Sequence, residues 1–139
     1  MSKREVLIQT LVSDYKNQIR KIRACFLPML KEYIPLNEYA ALNELHCHGD
    51  LMISEIADHL QVTNSHISVT SDKLINRGLV IRKNSAEDRR IVYLSITPKG
   101  EELAVNMDKV LHEFYEEKLS KMTIGEIETF ISLIHKINL

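Results

Sequence analysis

The stretch Leu79 to Gly100, LVIRKNSAEDRRIVYLSITPKG, constrains the fold more than any other part of the chain. Val80, Arg82 and Asn84 alternate with Leu79, Ile81 and Lys83. Ile91, Val92, Tyr93, Leu94 and Ile96 then form a β-branched and aromatic run, so two short strands are expected. Between them Ser85-Ala86-Glu87-Asp88-Arg89-Arg90 is too polar to bury and makes a charged hairpin tip. Taken alone, such a hairpin is more often a solvated loop with a surface ion pair. What precedes it changes that reading.

Ile53, Ile56, Ala57 and Leu60 give a short helix with one apolar face. Met52 stands where a capping Ser or Thr is common, so the start of this helix is weakly specified. The turn Gln61-Val62-Thr63 follows, with Thr63 a plausible N-cap for a second helix over residues 64–77. That helix turns Ile67, Thr70 or Ser71, Leu74 and Ile75 inward and Ser65, His66, Ser68, Val69 and Lys73 outward, and Gly78 supplies its terminating position. Helix, short turn, helix and hairpin make a winged helix-turn-helix, whose second helix enters a major groove through its outward face. The adjacent arginines of the tip suit a minor groove. Arg90 is expected there, with Asp88 two positions earlier on the same side restraining it and Arg89 pointing away.

The chain ends read as helices that need a partner. Ile8, Val12, Tyr15, Ile19, Ile22 and Phe26 recur at intervals of 4, 3, 4, 3 and 4, a heptad-like stripe. Pro28 is expected to kink or interrupt this helix, and Pro35 to stand at the start of the next. Thr97-Pro98 opens a long helix carrying Leu103, Met107, Val110, Leu111, Phe114, Tyr115 and Leu119. Thr123 and Glu126 have capping-box spacing ahead of Ile127, Phe130, Ile131, Ile134 and Ile137. Intertwining with a second copy would cover both stripes; the alternative is a helical bundle within one chain.

The 139 residues suit one domain-sized unit, and 45% hydrophobic with 27% charged residues is ordinary for a globular protein. No run approaches a membrane span or a signal-peptide core, so a cytoplasmic protein is expected. Cys25 and Cys47 are too few for a disulfide framework; Cys25 is expected to be a buried or half-buried thiol. The net charge of −1 argues against a generally basic coat, but the distribution is uneven. Residues 36–72 carry no Lys or Arg against six acids, whereas residues 73–90 carry six (Lys73, Arg77, Arg82, Lys83, Arg89, Arg90) against two. Positive charge therefore gathers where a winged helix meets phosphates.

The ordered set of motifs resembles the MarR family of bacterial transcriptional regulators. The matching residues are Glu38-Tyr39 with Leu42 and Leu45, Ser54-Glu55-Ile56-Ala57 with Leu60, Val62-Thr63, Asp72-Lys73-Leu74 and Arg77-Gly78-Leu79-Val80. Asp88-Arg89-Arg90, Leu94-Ser95-Ile96-Thr97 and Gly100 complete the set and resemble the family's wing signature. The resemblance implies a mainly α fold with a small β wing, built over 1–139 as a single unit. Its winged-helix lobe would span about 35–98 and its dimerisation helices about 4–33 and 98–139. It implies a homodimer on a pseudo-palindromic operator in double-stranded DNA, acting as a repressor modulated by a small aromatic or phenolic effector. The expected DNA contacts are Thr63, Asn64, Ser65, His66, Ser68, Val69, Lys73, Arg77, Asp88, Arg89 and Arg90. The expected effector contacts are Tyr15, Ile19, Tyr39 and Met107. Val69 and Thr70 depart from the family's usual recognition helix, so base preference does not transfer.

His46-Cys47-His48 puts three metal-capable side chains in a row, but helix neighbours point about 100° apart and cannot all face one ion. Of the paired histidines that the family's zinc-sensing branch carries in its long helix, only His112 is present. No metal or cofactor is expected. Nothing resembles a P-loop, a Gly-rich phosphate loop or a nucleophile elbow, so catalysis is not expected either. The competing reading is a winged helix that binds protein and does not read DNA.

Overall fold

The computed structural model describes residues 1–139. Helix α1 (Lys3–Lys31) is followed by α2 (Leu36–His48), α3 (Ile53–Leu60) and α4 (Asn64–Asn76). Strands β1 (Val80–Asn84) and β2 (Val92–Ile96) lead into α5 (Pro98–Lys118) and α6 (Ile124–Ile134). The chain divides into two compact units, Met1–Val105 and Asn106–Leu139, with the boundary inside α5.

In the first unit, Ser2 caps α1: its side chain accepts from the Glu5 N–H while Glu5 accepts from the Ser2 N–H. Pro28 does not interrupt the helix, which runs on to Lys31. A proline removes one hydrogen bond of the ladder, and here the last turn is held by burial of Leu30 and Ile34. Most of the stripe predicted on α1 is uncovered within the chain: Ile8, Val12, Tyr15 and Ile19 are exposed. Cys25 is exposed as well, contrary to the expected buried or half-buried thiol, while its neighbours Ile22 and Phe26 are half-buried.

The lobe core is Leu42, Leu45, Ile56, Ile67, Leu74, Val80 and Leu94, all nearly inaccessible. Full burial of each such side chain contributes on the order of 1.5–3 kcal/mol. Helix α3 starts at Ile53 despite lacking a capping hydroxyl, since the Glu55 carboxylate accepts from the Met52 N–H at 3.0 Å. Gln61 closes α3 in the left-handed region (φ 56°), a conformation favoured in glycine and asparagine. Its side-chain amide donates to the Asp58 carbonyl at 2.7 Å.

β1 and β2 pair antiparallel from Val80 with Ile96 to Asn84 with Val92. Leu51 adds a further rung, its N–H donating to the Leu94 carbonyl and its carbonyl accepting from the Leu94 N–H. At the base of the hairpin, Thr97 donates to the Gly78 carbonyl at 2.7 Å and accepts from the Gly100 N–H at 3.1 Å. A Cβ on Gly100 would lie 2.2 Å from the Leu79 carbonyl oxygen, so only glycine lets α5 start this close to the loop before β1.

In the second unit, Met107 is fully buried. Thr123 and Glu126 form the predicted capping box, which lowers the Glu126 pKa through the backbone and hydroxyl hydrogen bonds to Thr123. Helix α6 buries no residue in the chain; Phe130, Ile131, Leu133 and Ile134 are exposed.

Candidate nucleic-acid interface

Thr63 initiates α4 by accepting from the His66 N–H at 3.1 Å, so the first turn begins at a defined residue. Ile67, Thr70, Ser71 and Leu74 then face the core. The two hydroxyls are satisfied without leaving the helix: Thr70 donates to the His66 carbonyl at 2.9 Å and Ser71 to the Ser68 carbonyl at 2.8 Å. Thr70 therefore occupies an inward position usually given to an apolar residue at no cost in unsatisfied polarity. Asn64, Ser65, His66, Val69 and Lys73 are exposed and Ser68 is half-buried, as their spacing predicts.

The hairpin tip is more ordered than a solvated loop. Ser85 Oγ accepts from the N–H groups of Glu87 and Asp88, and Asn84 Nδ2 donates to the Arg89 carbonyl at 2.8 Å. Asn84, Ser85 and Asp88 carry the local signal for this turn, because their short polar side chains bond nearby backbone groups. Within the frame, Arg90 Nε donates to Asp88 Oδ1 and Arg90 Nη2 to Asp88 Oδ2, both at 3.2 Å. The Arg90 N–H adds a third bond to Asp88 Oδ1 at 3.0 Å. These contacts hold the Asp88 carboxyl below its ordinary value, the Arg90 side chain contributing most and its backbone N–H next. Arg90 nevertheless stays 91% exposed, a cation fixed in direction but open to a ligand.

Two of the six basic residues counted from sequence are engaged elsewhere. Arg82 Nη2 donates to Asp72 Oδ1 at 2.6 Å, tying β1 to α4. Arg77 Nε lies 3.1 Å from Oε1 of Glu38, which is almost wholly buried. Arg77, one of the expected DNA contacts, also compensates this buried carboxylate, since an unpaired charge there is costly. Lys73, Lys83 and Arg89 carry no carboxylate partner.

The residues expected to hold an effector divide. Tyr15 and Ile19 are exposed on α1, whereas Tyr39 and Met107 are buried. The row His46-Cys47-His48 also splits, as helical geometry requires. His46 Nδ1 hydrogen-bonds Glu101 in α5, Cys47 Sγ donates to Asn43 Oδ1, and His48 faces Glu44. No helix is long and apolar enough to cross a membrane.

Residues 34–92 match the MarR family model. Over 134 residues the chain is 28% identical to the HTH-type transcriptional regulator YpoP of Bacillus subtilis, spanning 96% of this chain and 90% of that protein. Staphylococcus aureus MarR in complex with salicylate and kanamycin has the same fold, with a TM-score of 0.85 and 21% identity over 96% of this chain and 91% of the other. Streptococcus pneumoniae FabT in complex with DNA matches with a TM-score of 0.73 and 20% identity over 96% and 93% of the two chains. The winged-helix lobe is thus similar to the MarR family over residues 34–92, and an HTH-type transcriptional regulator aligns along nearly the whole chain.

Proposed function

We propose that the chain is a homodimeric, sequence-specific DNA-binding transcriptional regulator acting in the cytoplasm. The observation that carries this reading is the exposed Arg90 guanidinium held by three hydrogen bonds to Asp88 at the end of a wing. An arginine whose rotamer is already restricted loses less entropy when it docks, and the negative potential of a minor groove attracts it. Helix α4 offers His66, Ser65 and Asn64 for base edges or phosphates and Val69 for a thymine methyl. Lys73 and Arg89 serve phosphates. A protein-binding module would suit an acidic or apolar recognition face better than this one.

The lobe at about 35–98 reads DNA in this proposal, and the helices at about 4–33 and 98–139 assemble the dimer. Support comes from the exposed apolar side chains of α1 and α6, too many for an isolated surface. Two-fold symmetry then calls for a pseudo-palindromic operator with half-sites about one helical turn, roughly 10 base pairs, apart. Occupying such a site in a promoter blocks polymerase, so repression is the expected sign. The effector is a small aromatic or phenolic compound, in line with the salicylate bound by the Staphylococcus aureus protein. Of the four expected contacts, Tyr15 and Ile19, exposed on α1, are the ones proposed to meet it.

Selection of bound sites from genomic fragments tests the reading. A palindromic consensus bound by a dimer is expected, and His66→Ala should change sequence preference more than salt dependence. A monodisperse monomer at micromolar concentration by light scattering, or retention of scrambled and selected duplexes alike, would overturn it.

A further inference from the structure

Glu44 and His48 stand one helical turn apart on α2, so they share a face. His59, in the last turn of α3, meets that face from the other side. Its Nδ1 lies 2.8 Å from Glu44 Oε2, and His48 Nε2 lies 3.6 Å from the same oxygen. The two imidazoles are edge to face with centroids 5.2 Å apart. One ligand atom from each residue falls within 4.8 Å of the others. Nitrogen and oxygen ligands about 2.0–2.2 Å from a tetrahedral zinc ion are separated by about 3.3–3.5 Å, so small side-chain rotations bring these atoms to that spacing.

We propose that Glu44, His48 and His59 bind a divalent transition-metal ion, Zn2+ in the first instance. Two imidazoles and one carboxylate suit a borderline ion better than Mg2+ or Ca2+, which take oxygen ligands. Half-exposed imidazoles leave the fourth position to water and give the ion an entry path. Its consequence is mechanical. The ion joins the end of α2 to the end of α3, four residues before Thr63 caps the recognition helix, and so restrains the turn that aims α4. The cluster was hidden in the sequence because its third member lies eleven residues beyond the second, while the conspicuous neighbours His46 and Cys47 point elsewhere.

Titrating metal-free full-length protein with Zn2+ by calorimetry tests this, with melting temperature followed in parallel. One ion per chain should bind and raise the melting temperature, because the ligands come together only in the folded state. Glu44→Gln, His48→Asn and His59→Asn should each weaken binding by at least about tenfold, since even loss of an outer-shell partner costs about 10–100-fold. His112→Ala and Cys47→Ser should leave it unchanged. Co2+ should give the visible absorption of a tetrahedral nitrogen and oxygen site. Circular dichroism without metal shows whether each variant is folded, and the three single changes check one another. Absence of binding at about 100 μM Zn2+ would overturn the proposal. So would unchanged affinity in His59→Asn, or a loss caused equally by His112→Ala.

Discussion

Arg77, the C-terminal cap of the recognition helix, places its Nε 3.1 Å from Oε1 of Glu38, a carboxylate nearly sealed inside the lobe. The pair joins α2 to α4 where the chain turns toward the wing, and the Arg77 carbonyl accepts from Lys99 Nζ at 2.9 Å. Because Arg77 is about half exposed, part of the attraction is screened.

Removing Arg77 leaves the Glu38 charge without its cation. Arg77→Ala should lower unfolding stability by about 1–3 kcal/mol, below the full cost of breaking a wholly buried pair because one partner is solvated. Urea denaturation checks this. A variant as stable as wild type but with weakened DNA binding would instead make Arg77 a phosphate contact.

At the wing, Arg90→Ala should cost on the order of 1–3 kcal/mol in operator binding and reduce the salt slope by about one for each lost contact. Arg89→Ala should cost less. Asp88→Ala should weaken binding although it removes a negative charge, because the freed guanidinium loses more entropy on docking. Fluorescence anisotropy across a salt series distinguishes this from a plain electrostatic surface, which predicts tighter binding by Asp88→Ala and equal losses for the two arginines.

Asp88 also predicts a pH response. Its carboxyl titrates below the ordinary 3.8 because Arg90 favours the charged form. A depressed pKa means that the restraint is fully present above the ordinary value and is lost as pH falls through the lowered one. Carboxyl chemical shifts in wild type and Arg90→Ala measure the effect: the Asp88 midpoint should rise toward 3.8 in the variant. Identical midpoints would mean that the pair does not persist in solution.

Gly100→Ala should be strongly destabilising, since its methyl would sit 2.2 Å from the Leu79 carbonyl oxygen. Either α5 or the loop before β1 must move, at a cost of roughly 1–3 kcal/mol or more. Gly125→Ala is the control, because nothing lies within 4 Å of its Cβ position. Comparable thermal midpoints for the two variants would contradict the close approach.

Local chemistry determined much of this protein. Thr63, Thr123 and Gly78 carry their helix-end signals in their own side chains or lack of one, and β-branched alternation placed both strands within a residue or so. Asp88 and Arg90 were legible as a pair from their two-residue spacing, but a turn brings them together and not the extended tip expected: the Ile91 N–H donates to the Asp88 carbonyl and the Arg90 N–H to Asp88 Oδ1. Tertiary structure decided what depends on residues far apart in the chain. Arg77 looked like one more cation until the fold set it against Glu38, and Arg82 until it met Asp72. His48 looked like part of a row with His46 and Cys47, but helical rotation separates the three and packing of α3 on α2 supplies His59 in their stead. A side chain's partner across a fold is set by how helices and strands pack, and that information is spread over the whole core and not written beside the residue.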